Sequence, residues 1–174
     1  MELEAFLADA VLATGGKLSA LGMGWDVLAT PGFPARHDRI AIGVLVRVPA
    51  EDTRRPHDLS VRLVDGGGAE LPLGRRPDGA ELRQLEAPFR VNPSQEGSTA
   101  TFALNFDGLV FQEPGEYGFV LQLDGEECKR LTFRVQPPPG PPTAEVRAGG
   151  YLSRRRLQAQ TVGSAPGSMM TFAA

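Results

Sequence analysis

Apolar residues in this chain recur at every second position, and each run of alternation ends near a glycine, proline or aspartate. From Ser98 to Asp107, Phe102, Leu104 and Phe106 fall on one side while Thr99, Thr101, Ala103 and Asn105 fall on the other. A period of two sends successive side chains to opposite faces of an extended strand, one toward a core and one toward water, and few helices are expected beside it. Tyr117, Phe119, Leu121 and Leu123 share one face, as do Leu131, Phe133 and Val135. Between those two runs stands Asp124-Gly125, a dipeptide that readily takes positive φ, so the pair predicts a β-hairpin with a tight turn.

The same pattern recurs elsewhere. Leu59, Val61 and Leu63, then Asp65-Gly66-Gly67-Gly68, then Glu70 to Leu73 predict a second hairpin. Phe6 to Ala13, Gly15-Gly16-Lys17 and Leu18 to Leu21 predict a third. Gly22 and Gly24 interrupt the apolar run before Trp25-Asp26-Val27-Leu28, where a bulge or a bend between sheets is expected. Arg39 to Val48, with Ile40, Ile42, Val44 and Val46 on one side, is the strongest central strand. About nine or ten short strands separated by turn residues point to an all-β fold, an antiparallel two-sheet β-sandwich of immunoglobulin-like type. Pro114-Gly115-Glu116-Tyr117 fits the start of a strand at a tyrosine corner, where the hydroxyl bonds back to nearby backbone. An ordinary core tyrosine after a Pro-Gly turn is the other reading of Tyr117.

Composition changes abruptly at Pro137, where Pro-Pro-Pro-Gly-Pro-Pro opens a stretch rich in Pro, Gly, Ser and Ala. Proline supplies no amide donor and favours polyproline II, so residues 1–136 are expected to form the sandwich and 137–174 a flexible, disordered tail. That tail carries four Arg and one Glu of the chain's 18 basic and 21 acidic residues, which leaves the body acidic. An acidic body argues against broad binding of a phosphate backbone. The single Cys128 rules out an intramolecular disulfide and suits a reducing compartment. The opening Met-Glu-Leu-Glu-Ala-Phe-Leu lacks the basic start of a signal peptide, and Ile40–Val46 falls far short of the roughly 20 apolar residues that cross a bilayer as a helix. A cytoplasmic protein without a membrane segment is expected.

Ala5-Phe6-Leu7-Ala8-Asp9-Ala10, the stretch from Gly16-Lys17-Leu18 to Gly24-Trp25-Asp26, and Pro114-Gly115-Glu116-Tyr117 with Asp124-Gly125 resemble an uncharacterised bacterial family of small β-rich proteins. The likeness spans about residues 4–136. It implies the β-rich fold and carries no activity, substrate, cofactor or site residue.

The residues that chemistry would need are sparse. His37-Asp38 and His57-Asp58 invite a metal reading, but neighbours on a strand point to opposite faces and further ligands are missing. Both pairs sit beside Pro or Arg, where solvated loop residues are expected. Cys128 is in phase with Arg130, Thr132 and Arg134, on the polar face of its strand, either redox-sensitive or an inert thiol. No Gly-x-Ser-x-Gly elbow, phosphate loop or dinucleotide fingerprint occurs, since Gly66 to Gly68 leads into a strand. Asp9 is the only charge between Ala5 and Ala13, and it reads as outward or bonded to a local turn in preference to inward. Trp25 reads as core before ligand shelf.

In the tail, Tyr151 with Arg154, Arg155 and Arg156 could touch an acidic partner or, weakly, nucleic acid, and Met169-Met170-Thr171-Phe172 is a short apolar patch. No enzyme, metal or cofactor is expected. The first functional expectation is a non-catalytic protein-binding or assembly module. A homo-oligomeric structural component comes second, and a metal-binding enzyme using His37 and His57 third.

Overall fold

The computed structural model describes residues 1–92 and 98–139, and in them the chain is all-β, with thirteen strands and no helix. Its longest strands are β5 (Ala35–Val48) and β11 (Ser98–Phe111), which pair antiparallel from Val48 opposite Ser98 to Ala35 opposite Phe111. β1 (Glu2–Ala8) pairs with the other edge of β5 and completes a three-stranded sheet. The expected central strand is therefore central, and it begins four residues before Arg39.

A second sheet runs in the order β10 (Gln84–Phe89), β6 (His57–Asp65), β12 (Gly115–Leu123), β13 (Glu126–Gln136) and β4 (Val27–Ala29), with β7 (Glu70–Leu71) pairing on β6. Two short hairpins stand apart, β2 (Ala10–Thr14) with β3 (Lys17–Leu21), and β8 (Gly74–Arg75) with β9 (Glu81–Leu82). All ladders are antiparallel except β4 with β13, where Val27 faces Arg134, so the all-antiparallel expectation fails at that edge. The 12–13 turn is as the dipeptide predicts: Asp124 and Gly125 both have positive φ, 52° and 86°.

The two larger sheets share one core. Ile40, Ile42, Val44 and Val46 of β5 are wholly buried and cluster with Leu59 and Leu63 of β6 and with Phe119 and Leu121 of β12. Phe133 stands 5.8 Å from Phe111 and 5.7 Å from Phe119, ring centre to ring centre. Each such side chain removed from water contributes roughly 1.5–3 kcal/mol. The pair Arg39–Asp107, by contrast, joins side chains 50% and 62% exposed, and an exposed pair contributes about 0–1 kcal/mol. Apolar burial holds this fold.

Three local departures from simple alternation have physical causes. The run Phe6–Ala13 is two strands, because the chain turns at exposed Asp9, whose amide donates to the Leu21 carbonyl at 2.9 Å. β11 continues past Asp107 because Gly108, at φ 70°, resets its pleat, so that Phe106 and then Leu109 and Phe111 face the core. The strand after Gly66–Gly68 stops at Leu71; Leu73 instead donates its amide to Leu82.

Candidate functional site

His57 and Asp58 are strand residues, which corrects the loop placement expected for them. His57 opens β6 with its side chain 0% exposed, in phase with Leu59, Val61 and Leu63. Its Nδ1 lies 2.9 Å from Asp124 Oδ2 and its Nε2 lies 3.0 Å from the Asp52 carbonyl. Both neighbours are acceptors, so both bonds form only when each ring nitrogen carries a proton. Asp124 Oδ1 also accepts from the Asp58 amide at 2.9 Å, and the Asp124 amide donates to the Asp58 carbonyl at 2.8 Å. Arg55 Nη2 approaches Asp52 at 3.1 Å and Asp124 at 3.8 Å.

Partial burial pushes the Asp124 carboxyl up. Hydrogen bonds from His57 and Asp58, with the charges of His57 and Arg55, outweigh that and bring it below its ordinary value. The cluster clamps the tip of the β12–β13 turn to the start of β6 and to the segment around Asp52. An enclosed imidazole offers no face to a substrate, so the arrangement suits a clamp better than a general base.

His37 also lies on a strand, β5, opposite Leu109 and in the other large sheet, so neither histidine is a loop residue and the two are not neighbours in one ladder. Among the described residues no three His, Cys, Asp or Glu side chains gather as a metal-binding group. Cys128 is exposed, as its phase predicts, and occupies the bulge where Leu121 faces Lys129 but Gln122 faces Glu127. Arg130, one of the two arginines in phase with it, is engaged by Glu127.

Trp25 packs edge-on to Phe133 at 5.8 Å and joins the core, with its buried indole Nε1 lacking a hydrogen-bond partner. Tyr117 is buried and donates its hydroxyl to the Glu113 carbonyl at 2.8 Å, the back-bond expected of it. Burial raises its phenol above the ordinary value, against the lowering effect of that bond. Asp9 is exposed, and its carboxylate occupies the space a side chain at Gly22 would need, so Gly22 at φ 61° is the residue that fits. Tyr151, Arg154, Arg155, Arg156 and Met169–Phe172 lie outside the described residues.

Two surface features had no counterpart among the sequence expectations. The first is the apolar outer face of the β2–β3 hairpin, a hairpin that the alternation itself predicts. Its inner face carries Val11, Leu18 and Ala20 against Phe6, Ala41 and Ala103, a second small core. Asn105 fixes it there, accepting from the Val11 amide at 3.2 Å and donating to the Val11 carbonyl at 3.0 Å, as a neighbouring strand would. Its outer face carries Leu12 and Leu21, 63% and 72% exposed, diagonal neighbours because Leu12 faces Ser19 and Leu21 faces Ala10. Met23, two residues on, is 59% exposed. The second feature is a cleft of about 630 Å³ between β8 and the far part of β11, lined by Arg36, Arg75, Leu71, Pro72 and Val110 among others.

No curated protein matches this sequence. The model of a family of unknown function, DUF6941, matches residues 3–136, which include both large sheets, the hairpin and the histidine clamp, and the chain belongs to that family.

Proposed function

We propose that this chain is a non-catalytic binding or assembly module, an immunoglobulin-like two-sheet β-sandwich whose interaction face is the outer side of the β2–β3 hairpin. The observation that carries the reading is the exposure of Leu12 and Leu21 side by side. Large apolar side chains grouped on a surface hold water unfavourably, and covering them on association returns roughly 25 cal/mol per Å². The Asn105 clasp on Val11 and the small core beneath hold the hairpin in a fixed pose, which lowers the ordering cost of binding. The immunoglobulin-like reading draws on the shared core of the two larger sheets and on the Tyr117–Glu113 bond. An unpaired, exposed Cys128 suits the reducing cytoplasm.

A second copy of the chain is the alternative partner, because β1, β11, β10 and β4 each end a sheet with one edge outside the ladder. A pull-down from native lysate decides between these and the tail. The full chain is compared with a variant carrying Ala at Arg154, Arg155 and Arg156, at low and high salt, with light scattering on the same samples. A partner held equally by both proteins and at both salt levels supports the hairpin. Loss with the arginines moves the function to the tail, and a concentration-independent oligomer favours self-assembly. A monomer that captures nothing sinks the proposal.

A further inference from the structure

The cleft between β8 and β11 carries a charge pattern that the hairpin reading leaves unused. Three carboxylates line it, and each is already engaged by an arginine. Asp107 takes Arg39 through both oxygens at 2.6 and 3.1 Å, Glu70 takes Arg62 at 2.7 Å, and Glu81 takes Arg83 at 2.6 Å. Two lining guanidiniums, Arg36 and Arg75, have no carboxylate partner among the described residues; Arg75 donates only to the Gly79 carbonyl, at 3.3 Å. Arg36 is seated by its neighbour. A side chain at Gly108 would bring its Cβ within 2.8 Å of Arg36 Nη2, so the glycine leaves the space in which that guanidinium lies against β11. The same cleft is lined by apolar Leu71, Pro72 and Val110, the last 42% exposed and opposite Arg36 in the β5–β11 ladder.

We infer that this cleft binds an acidic protein segment, with carboxylates on Arg36 and Arg75 and an apolar side chain on Val110. Guanidinium pairs with carboxylate through two parallel hydrogen bonds, and both arginines have donors to spare. Nucleic acid fits the site less well. A phosphate backbone needs a continuous run of unopposed cations, whereas this cleft offers two arginines without a carboxylate partner among the described residues. The apolar wall also has no role against phosphate, while it matches one side chain of a peptide whose flanking residues are Asp or Glu. This site is separate from the hairpin face and stands without it.

A displayed library of random short peptides, panned against the full chain, tests the assignment. The expected result is enrichment of peptides in which Asp or Glu flank an apolar residue. The best of them, synthesised and labelled, should bind about tenfold or more weakly to the double variant Arg36→Gln/Arg75→Gln and should weaken in salt. Arg130→Gln, on β13, is the control and should bind as the parent does. Enrichment without acidic bias, binding unchanged in the double variant, or tighter binding of an oligothymidine than of the selected peptide would each overturn the assignment. Thermal unfolding of both variants separates a lost site from a lost fold.

Discussion

β5 and the β2–β3 hairpin obey the same alternation with the same kinds of residue, yet their apolar faces meet opposite fates. Ile40, Ile42, Val44 and Val46 are all 0% exposed, while Leu12 and Leu21 are 63% and 72% exposed. Period two says which side chains travel together; it does not say whether anything covers them. β5 lies mid-sheet and opposite a second sheet, so its apolar face is closed from within the chain. The hairpin spends its inner face, Val11, Leu18 and Ala20, on a small core with Phe6 and three alanines, and nothing among the described residues lies over the outer one. That uncovered apolar face is the one proposed to meet a partner.

The comparison breaks most violently in the core. Phe119→Ala should cost about 3–5 kcal/mol, read as a fall in the urea midpoint, because Phe106, Phe133 and the β5 side chains cannot close the space it leaves. His57→Ala should cost roughly 2–4 kcal/mol by the same measurement, since it leaves the Asp52 carbonyl and part of Asp124 without their donors. Asp124→Asn keeps a residue that tolerates the left-handed turn and exposes the linkage. The folded Asp124 carboxyl sits below its ordinary 3.8, so its contribution is complete above that value and is lost as pH falls through the lower, folded one. The stability gap between parent and Asp124→Asn should therefore shrink as pH falls through the acid range below 3.8. A gap that widens in acid contradicts the clamp.

Tyr117→Phe removes one hydrogen bond from a ring that stays packed, and should cost about 1 kcal/mol. The smallest effect on stability belongs to Leu12→Ser with Leu21→Ser, within about 0.5 kcal/mol for each, because exposed positions give up little burial. If those two substitutions destabilise the chain as core substitutions do, the hairpin's outer face belongs to the fold and its reading as an interaction surface falls.

The fold was largely readable because strand chemistry is local. Asp124-Gly125 specifies its own turn, and Tyr117 with Pro114-Gly115 marks the corner that its hydroxyl closes four residues back. The candidate site features were not readable, for reasons that differ by residue. His57 and Asp124 are 67 positions apart, and only the pairing of β6 with β12 brings them together. A signal for burial of His57 existed: it precedes Leu59 by two and so shares the core face, but Pro56 and the arginines before it read as loop. β10 was hidden by Pro88, which an edge strand tolerates. Arg36 and Arg75 look like any surface arginines until the glycine beneath one and the paired carboxylates around both are seen in three dimensions.

The central claim is that the hairpin's outer face serves association and not folding. The most direct measurement pairs two readings on one preparation of the Leu12→Ser/Leu21→Ser full chain: the urea midpoint, and capture of the partner that the parent chain draws from native lysate. The account predicts a midpoint near that of the parent with capture lost. Capture at the parent level with an unchanged midpoint would contradict it.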